Sequence, residues 1–268
     1  MSDERIEVVK QYYDDAPQAE WDRLERHPIE FLLNARFMVR YIKPGDKVLD
    51  IGGGPGRYST HLAQMGCDVT LADLSGGNVA FAEEKARELG LPLCAVQANA
   101  LDLSQFADGE FDHVLLMGPL YHLEAEADRA KAVREALRVL RPGGTLHCAF
   151  ISSYGGIMWA MKCEPQSIIA PALEASYAQF IDDRPYVGIS FTHSYFIRQQ
   201  DVLPFMAQFP LEKLHLFGSE GLMSPCEQSF LSQPKDVFDA WVDLSEKVCE
   251  RENLLSFAEH FQYVGRKR

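Results

Sequence analysis

The feature that most constrains this chain is the run Val48-Leu49-Asp50-Ile51 and the turn that follows it, Gly52-Gly53-Gly54-Pro55-Gly56. Lys47 to Ile51 reads as a short buried strand, and a helical stretch from Tyr58 to Met65 begins just after the turn. Glycines at such a junction let the backbone pass close to a ligand at angles that other residues avoid. A tight strand-to-helix turn alone would need glycines too. The spacing narrows the choice. The glycines fall at positions 52, 54 and 56, and the dinucleotide fingerprint would need one at 57 or 59, where Arg57 and Ser59 stand. No Gly-Lys-Ser/Thr follows, so a phosphate-cradling loop is excluded. What remains is a loop suited to an adenosine ligand without a pyrophosphate.

The rest of the first 150 residues repeats that unit. Strands are predicted at 68–73, 93–97, 111–117 and 145–150, with helices at 78–89, closed by Gly90, and at 128–140. Pro142-Gly143-Gly144 reads as a turn. Alternating strands and helices predict an α/β fold, a doubly wound, mostly parallel sheet. Residues 5–42 read as two or three short helices interrupted by Pro17 and Pro28. Past residue 150 the rhythm breaks. Residues 152–185 read as helices and loops, and 190–196 as a strand or loop. Helices are predicted at 199–208 and 235–250, and late strands at 213–217 and 261–265 could pair at one sheet edge. The expected organisation is an N-terminal helical cap (1–42), a cofactor-binding core (43–151), a lid or substrate-side insertion (152–198) and a C-terminal part of the core sheet (199–268).

Composition sets outer limits. The chain has 268 residues and a formal net charge of -13, which repels nucleic acid. Its one basic cluster, Arg266-Lys267-Arg268, reads as a solvated tail. No apolar run is long enough to span a bilayer, and Met1 to Arg5 has no apolar signal core, so a cytoplasmic location is the default expectation. The six cysteines have neither C-x-x-C nor zinc spacing, so no metal is expected and they read as small buried hydrophobes.

Three positions can contact an adenosine. Asp73 ends the second strand, where a carboxylate can accept from both ribose hydroxyls, although a helix cap would use it as well. After the third strand, the Asn99 side chain can accept from an adenine amino group and the Ala100 N–H can donate to a ring nitrogen; an Asx turn would look the same.

The ordered set from Tyr41 to Phe150 resembles the class I S-adenosylmethionine-dependent methyltransferases, near the quinone-biosynthesis C-methyltransferases. Val48 to Gly56 looks like the family's first motif, Asp73 like its ribose-binding acid, and Phe111-Asp112-His113-Val114 and Arg141-Pro142-Gly143-Gly144 like its later motifs. Asn99-Ala100 stands where the family often has Asp-Ala, which keeps the acceptor and loses the charge. The resemblance implies a seven-stranded Rossmann-like sheet and S-adenosylmethionine as cofactor, with S-adenosylhomocysteine as product. It implies cofactor contacts from Asp50, Gly52, Gly53, Gly54, Asp73, Leu74, Asn99, Ala100, Met117 and Gly118. Tyr13 and Arg36 are candidates, by position alone, for the cofactor carboxylate.

Methyl transfer from a sulfonium is an in-line displacement, and holding the acceptor in line supplies much of the rate. An acceptor of low acidity also needs a base. Tyr121-His122, after the fourth strand, enters the site at the carboxyl edge, and His122 is the leading candidate for a base or an acceptor partner, with a structural role as the alternative. Tyr12-Tyr13 and Phe191 to Arg198 are further candidates for the acceptor wall, while Met158, Trp159, Met161 and Tyr177 suggest an apolar lid. The charge and the lid favour a small organic acceptor over nucleic acid or protein. A non-catalytic S-adenosylmethionine-binding protein and a nicotinamide-dependent oxidoreductase are the competing readings. A monomer and a homodimer are equally compatible with the sequence.

Overall fold

The computed structural model describes residues 3–268; Met1 and Ser2, the start of the N-terminal segment read above, lie outside the described residues. Three helices come first, α1 (Asp3–Asp14), α2 (Pro17–Arg26) and α3 (Pro28–Met38). Pro17 and Pro28 do not break helices here but start them, at the first position where a missing N–H costs nothing. The core follows as β1 (Lys47–Ile51), α4 (Arg57–Gln64), β2 (Asp68–Asp73), α5 (Gly76–Leu89), β3 (Leu93–Gln97), β4 (Phe111–Leu116), α6 (Glu126–Val139) and β5 (Leu140–Ser152). Ser75 caps α5 by accepting from the Asn78 N–H, and Gly90 closes it in the left-handed conformation.

β1 to β5 are parallel, in the order β3-β2-β1-β4-β5. The chain reverses direction across the sheet at β1 and β4, and ligands of doubly wound sheets bind in the crevice beyond the strand ends there. Val48, Leu49, Val114, Leu115 and Leu116 are fully buried, as strands covered on both faces require. The predicted Pro142–Gly144 turn is instead a bulged section inside β5. The β4–β5 pairing passes from Phe111↔Leu140 to His113↔Thr145, leaving Arg141 to Gly144 opposite Asp112.

The second half is α7 (Ser153–Cys163), α8 (Glu174–Ile181), β6 (Tyr186–Ile189), β7 (His193–Ile197), α9 (Gln199–Met206), β8 (Leu211–Gly218), α10 (Glu227–Leu231), α11 (Lys235–Val248), α12 (Glu252–Leu255) and β9 (His260–Lys267). β9 runs antiparallel between β5 and β8 and completes the expected seven strands. The hairpin β6–β7 adds two more, for nine in all among the described residues, and β7 holds on to β5 through only Ile151 and Ser152. Two other expectations are corrected. The basic C-terminus is no solvated tail: it closes β9, and Lys267 Nζ donates to the carbonyls of Leu137 and Leu140 at the end of α6. Of the six free cysteines only Cys67, Cys148 and Cys249 are buried.

Candidate active site

A cavity lies against the carboxyl ends of the core strands, and its wall follows the strand order. Asn99 and Ala100 beyond β3, Asp73 and Leu74 at β2, Gly52 to Gly54 at β1 and Met117-Gly118 at β4 all line it. Asp50 lines it from below the glycine turn.

The turn is built for close approach. Gly54 has φ +57°, and a Cβ there would meet nothing nearer than the Asn78 amide at 4.0 Å, so bare backbone faces open space. Gly52 has φ +66°, and a Cβ would come within 2.6 Å of the Pro119 ring, so the β1 turn and the β4 turn close on each other. Asp73 ties the parts together. Its Oδ2 accepts the Gly54 N–H at 2.8 Å and its Oδ1 accepts the Ser75 N–H at 2.8 Å and the Asn78 amide at 3.3 Å. Burial pushes its carboxyl up, against those three donors. Asp50 is buried beneath, accepts from Ser59 Oγ at 2.7 Å, and is raised to about 6 by burial, with the Asp73 charge adding to the rise. The Asn99 Oδ1 accepts the Leu101 N–H at 2.9 Å, so the Asx turn is real and one lone pair of that oxygen is taken.

The cavity is roofed by the N-terminal helices. Ile6, Val9 and Tyr13 of α1, Glu20, Arg23 and Leu24 of α2, and Glu30 of α3 contribute to it. α1 is latched at its end: Asp14 Oδ1 accepts from Ser75 Oγ at 2.6 Å and from the Gly77 N–H at 2.9 Å. No residue of 152–198 lines the cavity. Trp159 and Met161 are exposed, and Phe191 packs on Tyr12 and His122 outside the chamber.

Arg36 is also elsewhere. Its guanidinium is held by Asp243 and Glu246 of α11 at 2.6 and 2.9 Å. Two other arginines line the cavity, Arg23 and Arg57; Arg23, one helix before Arg36, has Nε on Glu20 and Nη1 on Glu30, both at 2.8 Å. His122 lines the cavity and is buried, but both ring nitrogens are engaged. Nδ1 faces the His193 carbonyl at 3.1 Å and must carry the proton, so Nε2 accepts from the Tyr13 hydroxyl at 2.8 Å. Burial lowers its pKa to about 4, so it is neutral at neutral pH and a weak base. Tyr121 faces the same chamber, its hydroxyl pushed upward by burial.

The sequence held no sign of a second cluster. Glu30, Glu220 and His260 bring one ligand-type atom each within 4.8 Å of one another. The Nδ1 of His260 lies 2.5 Å from Glu220 Oε1 and 4.0 Å from Glu30 Oε2. Glu220 Oε2 accepts the Glu259 and His260 N–H groups at 3.0 and 3.1 Å. Burial opposes a charge on the ring, yet the two carboxylates outweigh it and hold His260 at about 9. With the ring protonated, Nδ1–H donates to Glu220 and faces Glu30.

A family model described as a methyltransferase domain matches residues 49–148, from the first strand to the fifth. A demethylmenaquinone methyltransferase from Beutenbergia cavernae is 39% identical over 132 residues, covering 49% of this chain and 49% of that protein. Over these residues the chain is similar to S-adenosylmethionine-dependent methyltransferases. The methyltransferase domain is also similar to a glycine/sarcosine N-methyltransferase from Parasynechococcus marenigrum, 36% identical over 129 residues, or 47% of this chain and 46% of that protein. The chain spans about half the length of the curated relatives it matches. A solved S-adenosylmethionine-dependent methyltransferase from Methanosarcina mazei, 19% identical, shares the fold with a TM-score of 0.58 over 86% of this chain and 96% of that one. No helix among the described residues is long and apolar enough to cross a membrane.

Proposed function

We propose that this chain transfers a methyl group from S-adenosylmethionine to a small organic acceptor in the cytoplasm. The observation that carries the reading is the length of the cavity. It starts at Asn99 and Asp73, where an adenosine would lie, runs past the bare backbone of Gly54, and continues beyond Met117-Gly118 to Tyr121, Ala149 and His260. A protein that only stored the cofactor would not need that further chamber.

Asp73 and Asn99 would hold the nucleoside, Gly52 to Gly54 the methionine part, and Asp50 the cofactor's ammonium through its buried carboxylate. The bound cofactor supplies an electrophilic methyl on a sulfonium. The chain's own part is positioning: the helical roof excludes water, and Tyr13, fixed by His122, and Tyr121 orient the acceptor. The curated relatives include one named for a quinone precursor and one named for glycine and sarcosine, so domain likeness supports methyl transfer and leaves the acceptor to the part outside residues 49–148.

The test is S-adenosylhomocysteine formation by purified protein on addition of a desalted small-molecule extract. The reading expects product that scales with the extract. Cofactor bound without any turnover, across extracts of varied origin, would favour the storage reading. Binding of NADH in place of S-adenosylmethionine would overturn both.

A further inference from the structure

The far end of the cavity has a chemistry of its own. His260 enters it from the start of β9, opposite Ile151 of β5, and so stands at the opposite end of the strand order from Asp73 and Asn99. Glu220 and Glu30 flank its Nδ1. Arg23 comes from the roof and spends Nε and Nη1 on Glu20 and Glu30. Both cations are thus already matched by carboxylates, which fixes their orientation before any ligand arrives. Among the described residues the carboxylate oxygens Glu30 Oε1 and Glu20 Oε2 have no hydrogen bond, and neither do three donors of this chamber, His260 Nε2, Arg23 Nη2 and the Tyr121 hydroxyl. All three can donate, and two belong to charged groups, whose hydrogen bonds are stronger than neutral ones. Leu24, Pro119 and Ala149 give the cavity apolar wall as well.

Resting on the reading of the cavity given above, we infer that His260, Arg23 and Tyr121 form an acceptor subsite for an oxygen atom, the carbonyl or hydroxyl oxygen of a molecule whose body is otherwise apolar. Glu30 and Glu220 are positioning residues there. They hold the donors and already supply His260 and Arg23 with carboxylate partners.

Matched probes test this on the full chain saturated with S-adenosylhomocysteine, by ligand-observed NMR titration. Acetophenone is compared with isopropenylbenzene, and phenol with fluorobenzene, each pair differing in the oxygen. The expected result is about tenfold tighter binding of the oxygen-bearing member. His260→Gln and Tyr121→Phe should each erode that preference while leaving the binding of the two oxygen-free probes and of S-adenosylhomocysteine unchanged. Tyr121→Phe removes one hydroxyl only and keeps the test available if His260→Gln fails to fold. Equal affinities within both pairs would overturn the inference, as would a preference that survives both substitutions. So would stoichiometric Mn2+ binding at micromolar concentration that is lost in His260→Gln, because the cluster would then be a cation site. Failure of S-adenosylhomocysteine itself to bind would instead strike the underlying functional reading.

Discussion

The Tyr13 hydroxyl donates to His122 Nε2 across 2.8 Å, joining the first helix of the chain to the turn after β4. The same imidazole is anchored on its other side by the His193 carbonyl of β7. One neutral ring therefore ties together the roof, the core and the added hairpin. His122 acts on the site through Tyr13, and this sets the expectations for both residues.

Tyr13→Phe removes one hydrogen bond and leaves the ring in place. Unfolding free energy should fall by about 1–3 kcal/mol, because His122 Nε2 is left buried and unpaired. Cofactor affinity should change less than turnover. Chemical denaturation with parallel calorimetry checks this, and unchanged stability would mean that the pair is not formed in solution.

Asp73→Ala should weaken S-adenosylmethionine binding by roughly 1.5–3 kcal/mol, the range for hydrogen bonds to a charged group. Because Asp73 also accepts the Gly54 N–H, the glycine turn should loosen in the same variant. Hydrogen exchange at residues 52–56 reads that second effect separately from affinity.

Asp14→Ala unlatches α1 from Ser75 and Gly77 without touching the cavity wall. The expected outcome is faster cofactor release in stopped-flow, about tenfold, with the core stability retained. An unchanged release rate would show that α1 does not move when the ligand leaves.

Stability should fall steeply in mild acid. His122 and His147 are held near 4 and near 3 by burial, against about 6.5 when unfolded. A lowered histidine pKa means that the unfolded chain takes up the proton first, so stability is complete above about 6.5 and is lost as pH falls toward 4 and below. Asp50, raised to about 6, works in the opposite sense between its unfolded value and 6. Asp73, also raised by burial, acts in the same sense as Asp50, while the two histidines contribute a positive slope with pH. His122→Asn should flatten it, as read by melting temperature from pH 7 to 4.5.

Much of the core was legible because its signals are local. A buried apolar run, a glycine turn and a helix cap each occupy a few neighbouring residues, and β1, β2 and β3 begin and end where expected. Their ends carry Asp73, Asn99 and the glycine turn into the cavity. The acceptor side was not legible, because chain-distant elements build it. Glu30, Glu220 and His260 meet only once β9 has paired with β5, and nothing near any of them in sequence signals it. Arg36 and Arg23 sit on adjacent helices. Arg23 meets Glu30 in the cavity, whereas Arg36 meets Asp243 of α11, a partner more than 200 residues away in the chain. The bulky apolar residues of 152–185 suggested a covered pocket, yet several of them face outward.

The central claim is that this cavity moves a methyl group onto a small molecule. Incubation with S-adenosylmethionine carrying a trideuterated methyl and a metabolite extract, followed by mass spectrometry of both the low-mass and the macromolecular fractions, tests it most directly. The account predicts a labelled low-mass product formed one-for-one with S-adenosylhomocysteine and strongly reduced in Asp73→Ala. Label confined to protein or RNA, or no label in any fraction while the cofactor binds, would contradict it.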